Sequence, residues 1–304
     1  MRVTNRMMGT QFLIHLRKNM TLMQKTQNQL ATGKEISKPS DDPVRVVRAM
    51  TADTSLQKNA QFRRNIEDSY GWTETTDGAL AGMTDTLNRL RELAIAGANG
   101  TLGDSEFKAL YAEVRQLVEG LAQTGNANYD GRYIFGGTQT TQPPFKVDET
   151  TGMLLYQGDQ GSLEREVLPG VTMKVNVNGS AILGSNDPAD EKNLAVTLNR
   201  LMAGLSDPAS SDRSKLGGEL LRRLDGHIDT VLSLRTSSGA VSNRLEAMKQ
   251  LNASETLSLT ELLSKTEDID FAEKVMQFSM LENVYKASLS TGAKILQPTL
   301  LDYL

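Results

Sequence analysis

Three stretches of this 304-residue sequence contain no proline: residues 1–38, 44–142 and 209–297. Proline in a helix interior removes an N–H and clashes with the preceding turn, so these stretches can hold very long helices. Two of the eight prolines follow an aspartate, in Asp42-Pro43 and Asp187-Pro188. Both pairs read as an N-cap followed by proline at the first helical position. The apolar rhythm agrees. Ile66, Ser69, Thr73, Thr76, Leu80, Met83, Leu87, Leu90 and Ala94 recur at alternating steps of three and four, the spacing of a coiled-coil seam. After Gly97-Ala98-Asn99-Gly100 the rhythm resumes at Phe107, Leu110, Val114, Leu117 and Leu121. It appears again at Leu224, His227, Val231, Leu234, Ser238, Val241, Leu245 and Met248, fades through Asn252 and Glu255, and returns at Leu259 and Leu262. A last segment sets Phe271, Val275, Phe278, Tyr285, Leu289 and Leu296 on one stripe. A helix over 43–98 would be about 84 Å long at roughly 1.5 Å per residue, a length that suits a rod.

The middle of the chain reads differently. Met153–Gln157, Leu163–Leu168 and the alternation Val171, Met173, Val175, Val177 are short runs of strand formers separated by turn residues. Asn178-Gly179 reads as a hairpin turn, with Ala181–Leu183 as a closing strand. The expected architecture is mainly α with a small β module. An elongated antiparallel helical bundle, or coiled-coil rod, is formed by N- and C-terminal arms, with a central antiparallel β domain inserted. The expected segments are an N-terminal assembly helix (1–38), the N-terminal half of the rod (39–128), the β domain (129–185), the C-terminal half of the rod (186–267) and a C-terminal assembly helix (268–304). Residues 1–38 carry seven lysines and arginines against one glutamate, and residues 261–304 carry seven acidic against four basic residues. Such opposite charge favours pairing of the two ends.

Composition excludes whole classes of chemistry. The chain has no cysteine and two histidines, so disulfides, thiolate zinc, iron–sulfur clusters and cysteine nucleophiles are absent. His15 and His227 lie on different arms without carboxylates at ligand spacing, and His227 sits on a seam, where one polar residue sets register. No Gly-x-Ser-x-Gly turn is present, and Gly131, Gly136 and Gly137 follow no phosphate-loop spacing. Asp42, beside Asp41, is expected to cap a helix rather than bind metal, and Asp148-Glu149 reads as a solvated turn. A net charge of −4 argues against general nucleic-acid binding, and no window approaches the roughly 20 apolar residues of a membrane span. We expect no enzyme activity, no cofactor and no metal. The N-terminal sequence lacks the apolar core of a signal peptide.

Both ends are amphipathic. Val3, Met7, Phe12, Leu16, Met20, Met23 and Leu30 mark one stripe, and Phe278, Tyr285, Leu289, Leu296, Leu300 and Leu301 another. Chain ends are ordinarily where order is lost, so these stripes are expected to bury against each other, against other subunits, or both.

Several long motifs resemble the bacterial flagellin family, which includes filament flagellins and their junction relatives. RVTNRMM (2–8), QNQLATGKEISKPSDDP (27–43) and RRNIEDSYGWTETTDGAL (63–80) resemble its N-terminal region. NANYDGRYIFGGTQTTQPPF (126–145) and LLYQGDQGSLEREV (154–167) resemble the start of the central domain of the junction branch, and residues 264–304, ending QPTLLDYL, its C-terminal region. The resemblance implies an extracellular structural protein of the flagellum, exported through the flagellar secretion channel without a cleaved signal peptide. It implies a ring of copies of this chain between a hook-side junction protein and the flagellin filament. An export chaperone would take the C-terminal helix before secretion. In the family the paired terminal helices line the inner tube and order on polymerisation, a role that falls here on residues 1–38 and roughly 268–304. The alternatives are a filament flagellin, or a non-flagellar coiled-coil adaptor whose β module binds a ligand.

Overall fold

The computed structural model describes residues 5–99, 102–148, 151–184, 190–206 and 212–295. Among these residues, seven α-helices and six short strands follow in order: α1 (Asn5–Thr32), α2 (Pro43–Ala98), α3 (Asp104–Gly125), β1 (Asn128–Tyr129), β2 (Arg132–Tyr133), β3 (Phe145–Val147), β4 (Leu154–Tyr156), β5 (Glu164–Leu168), β6 (Val171–Lys174), α4 (Gly179–Leu183), α5 (Leu194–Ser206), α6 (Leu221–Glu267) and α7 (Phe271–Ile295). None of the described helices is long and apolar enough to cross a membrane. The chain forms two compact units, residues 1–58 with 255–304 and residues 59–254. They are called the terminal and the central unit below.

The central unit is built on the seams of α2 and α6. Every rhythm position from Ile66 to Ala94 is buried, the hydroxyl-bearing ones included. Those hydroxyls are satisfied inside their own helix: Ser69, Thr73 and Thr76 donate to the carbonyls of Asn65, Ser69 and Trp72 at 2.6–2.8 Å. These bonds offset the desolvation cost of the buried hydroxyls, whose small volume lets neighbouring elements approach. On α6, Leu224, His227, Val231, Ser238, Leu245 and Asn252 face inward. Three polar pairs set the antiparallel register: Arg91 with Asp225 at 2.5 Å, Arg235 with Asp77 at 2.9 Å, and Asn252 Nδ2 with Asn59 Oδ1 at 2.9 Å. The two ion pairs are half-exposed and contribute little energy. The asparagine pair is buried, so it restricts register more strongly. α3 and α5 add Val114, Val118, Leu121, Leu194, Leu198 and Leu201 to the same apolar core.

The β region is antiparallel, as expected, but it is not one continuous domain sheet. It consists of three separate antiparallel hairpins, β1–β2, β3–β4 and β5–β6. With strands of two to five residues, no hairpin presents a face broad enough to support a continuous sheet, and the buried side chains join the helical cores instead. Phe145 of β3 and Leu154 of β4 enter the large core, while Val167 and Met173 of β5–β6 join Ile66 and Leu245 in a second cluster. Asn126 receives β3 with its side chain: Oδ1 accepts from Phe145 N at 2.9 Å and Nδ2 donates to Phe145 O at 2.8 Å. The β1–β2 turn uses Asp130 and Gly131 at φ 49° and 77°, the two left-handed positions of a type I′ turn.

Two further expectations fail at one place. Asn178-Gly179 is not a hairpin turn and Ala181–Leu183 is not a strand. Residues Gly179–Leu183 form one helical turn that buries Ile182 and Leu183. A Cβ on Gly179 would lie 2.3 Å from the Tyr156 ring, so this glycine serves a close approach rather than a turn. The expected cap at Asp187 lies outside the described residues. α5 begins instead behind Asn193, whose Oδ1 accepts from Ala195 N at 2.8 Å.

His227 is buried in the α6 seam, with Nε2 3.3 Å from Thr197 Oγ1. Burial first, and the nearby Arg223 guanidinium second, pull its pKa from 6.5 down to about 4. A lowered pKa means that the fold favours neutral imidazole. Its contribution is complete above pH 6.5 and is lost as pH falls from there to about 4. Stability of the native chain should drop across that window by up to about 3 kcal/mol more than that of His227→Gln. Denaturant unfolding of both proteins at pH 7 and pH 4.5 measures the difference, and equal pH dependence would refute this account.

Candidate interaction surface

The terminal unit assembles around two turns. α1 ends at Gly33, φ 70°, whose N–H donates to the Gln29 carbonyl, the left-handed stop typical of glycine. The segment after it meets the turn between α6 and α7 as a short antiparallel bridge, Lys34 with Asp268. Glu35 N donates to Glu267 O at 2.6 Å and Ile269 N to Gly33 O at 3.1 Å. Side chains reinforce the bridge. Lys34 pairs with Glu267 at 2.5 Å, Arg45 with Glu35 at 3.1 Å, and Arg45 Nη2 donates to Thr266 O at 2.6 Å. The Glu267 carboxylate, by its hydrogen bond, holds the Lys34 pKa above the ordinary lysine value. Among the described residues, Lys34–Glu267 is the one ion pair between a cation of 1–38 and an acid of 261–304, so the charge contrast of the two ends does little of the pairing. Asp42 Oδ1 accepts from Val44 N and Arg45 N, both at 3.1 Å, capping α2 ahead of Pro43.

α1 and α7 pack antiparallel through a narrow seam. Covered positions on α1 include Gly9, Phe12, Leu16, Asn19, Met23, Thr26 and Leu30, and on α7 Phe278, Leu281, Tyr285, Ser288 and Gly292. Both sets step by three and four. Asn19 Nδ2 reaches the Leu281 carbonyl at 3.4 Å, and Phe12 lies over Gly292 so closely that a Cβ there would fall 2.2 Å from its ring. Six of the expected interface residues are thus half-buried in this seam: Phe12, Leu16, Met23, Leu30, Phe278 and Tyr285. Met7, Met20 and Leu289 point to solvent, while Val3, Leu296, Leu300 and Leu301 lie outside the described residues. The single stripe expected on α7 is divided, with Phe271, Val275 and Leu289 exposed.

What remains uncovered is large. Twenty bulky apolar side chains are exposed among the described residues, and seventeen belong to the terminal unit. They include Leu13, Ile14 and Leu22 on α1, Val44, Val47 and Met50 at the start of α2, Leu257 and Leu262 on α6, and Met276, Met280 and Val284 on α7. By contrast, the buried apolar side chains described in this unit are Ile36, Ala49 and Ala52. Large exposed apolar patches are, in general, where proteins meet other molecules, which makes this surface the candidate site. Heptad counting missed Leu13, Ile14, Leu22, Met276, Met280 and Val284. Their signal is that the apolar arc of each helix is wider than one seam can cover.

The model of the bacterial flagellin N-terminal helical region matches residues 3–140, and that of the C-terminal helical region matches residues 221–304. The chain belongs to the bacterial flagellin family and is a structural component of the flagellum. Within that family, flagellar hook-associated protein 3 of Salmonella typhimurium is 25% identical over 96% of both chains, and that of Escherichia coli K12 is 25% identical over 95% of both. Bacillus subtilis flagellin is 25% identical over 95% of this chain and 94% of its own. A flagellar hook-associated protein from Vibrio parahaemolyticus shares the fold at a TM-score of 0.66 and 22% identity, over 75% of this chain and 100% of that one. Hook-associated protein 3 from Legionella pneumophila does so at 0.62 and 16%, over 71% and 98%.

The contact of Phe12 with Gly292 gives a direct test of the seam. Gly292→Val should abolish protection of α1 and α7 amides from hydrogen exchange while leaving residues 66–121 protected. Adding Phe12→Ala should restore part of the loss, since the two sites share one space. Full protection in the single variant would show that the seam is not as described.

Proposed function

We propose that this chain is the ring-forming junction subunit that joins the hook, through a hook-side junction protein, to the flagellin filament. The observation that carries the reading is the uneven burial: the central unit has a large apolar core, whereas the apolar side chains of the terminal unit are mostly exposed. Full-length likeness to hook-associated protein 3 supports the junction assignment. Burying one exposed leucine, methionine or phenylalanine is worth roughly 1.5–3 kcal/mol. A neighbour covering several of them on α1 and α7 therefore supplies enough to offset the cost of ordering and association. Contacts of this kind are heterologous, head to tail, and close into rings or continue into helices. The role needs no catalysis. The same face of α7 would be occupied by an export chaperone before secretion through the flagellar channel. Until it docks, the thin α1–α7 seam leaves the terminal helices easily opened, which ties their ordering to the assembly site.

A filament flagellin is the second reading, favoured by the likeness to the Bacillus subtilis protein. Deletion of the gene separates the two. The junction role gives hooks without filaments and flagellin shed into the medium. The filament role makes this chain itself the bulk of purified filament mass. Normal filaments in the deletion strain would overturn both.

Two measurements address the surface. Limited proteolysis of dilute monomer should cut first near residues 30–40 and 265–275 and leave a resistant core; uniformly resistant ends would contradict the easily opened seam. Leu13→Asp with Val284→Asp should leave thermal unfolding of the central unit unchanged yet abolish motility in complementation. Full complementation would remove these residues from the interface.

A further inference from the structure

One side chain is unevenly distributed. Six methionines are exposed among the described residues, Met7, Met8, Met20, Met50, Met276 and Met280, and all six belong to the terminal unit. In the central unit Met83, Met173 and Met202 are 1–5% exposed, and Met153 and Met248 are partly covered. Met276 and Met280, 66% and 68% exposed, stand one turn apart on α7 and line a groove with Val275 and Val284. A thioether is polarizable and unbranched, and suits a face that must fit more than one neighbour. Its sulfur is also readily oxidised, on a groove that Ser279 and Asn283 line as well.

We propose that these exposed thioethers are a modification site for peroxide-class oxidants, and that their conversion to sulfoxides blocks association of this chain with further copies of itself. The blocking half rests on the assembly role proposed above. In the step, a lone pair on Sδ attacks one peroxide oxygen. The S–O bond forms as the O–O bond breaks, sulfur loses two electrons, and the proton on the transferred oxygen passes to the departing hydroxide, which leaves as water. Hydrogen peroxide is the sole co-reactant. The sulfoxide oxygen is a strong acceptor that must shed its water when the face is covered, so a favourable apolar contact becomes a desolvated polar one. The central unit is spared because its thioethers lie within packed cores that peroxide reaches slowly.

The full chain is treated with dilute hydrogen peroxide and oxidation is followed by peptide mass mapping, with self-association read by sedimentation. The six methionines should oxidise at least about tenfold faster than Met83, Met173 and Met202; comparable rates overturn the site. Oxidised chain should lose association by about tenfold or more, while a variant with all six changed to Leu, close in volume, associates and ignores peroxide. Undiminished association of the oxidised chain overturns the block. Met276→Leu with Met280→Leu provides a milder variant, expected to keep part of its association after peroxide, and circular dichroism shows whether each variant folds. If untreated native chain does not associate, the assembly role fails and the blocking half falls with it, while the peptide map still decides the modification site.

Discussion

The seam between α2 and α6 in the central unit is the contact on which the rest of that unit rests. Its α2 side runs unbroken from Ile66 to Ala94 with no exposed position, and the opposing face of α6 supplies Leu224, Val231 and Leu245. Burial of this kind is non-directional and would tolerate slippage by a heptad. Directional contacts remove that freedom: the buried Asn59–Asn252 pair, and the Asp77–Arg235 and Arg91–Asp225 bridges nearer the other end. Once the two helices are in register, α3 and α5 have a surface to cover, and the three hairpins have cores to enter. Strands of two or three residues could not persist otherwise.

The terminal unit follows the opposite logic. Its α1–α7 seam relies on half-buried residues, an asparagine, a threonine and two glycines rather than on a filled apolar core. Close approach at Gly292 makes the seam narrow, and narrowness leaves the flanking apolar rows on both helices uncovered. A wider seam would bury more and hold the helices harder, but it would consume the exposed apolar rows. The polar bridge of Lys34, Glu35 and Glu267 fixes where the chain reverses without using any of that surface.

Much of this was legible beforehand. The proline-free stretches and the three-four rhythm located the long helices, because a helix of many turns repeats its signal until local exceptions no longer matter. The hairpins were only partly legible. Glu164–Leu168 and Val171–Lys174 carry strand formers around Pro169-Gly170, but Phe145–Val147 offers three residues and no alternation. Asn178-Gly179 misled for a clear reason: glycine was selected for the space under Tyr156, and a glycine placed for proximity looks the same in sequence as one placed for a turn.

By itself, then, the sequence determined that the chain is long-helical with a small β insert, that its chemistry excludes thiols and cysteine-bound metals, and that both ends are amphipathic. Each of these is a property of residue type and local spacing. The tertiary structure alone decided which apolar row of each terminal helix turns inward. Phe12, Leu16, Phe278 and Tyr285 are covered while Leu13, Ile14, Met280 and Val284 are exposed, and all eight are comparably apolar. The choice depends on which rows let two backbones come closest, and that is set by Gly292 lying under Phe12, a contact between residues 280 positions apart in the chain.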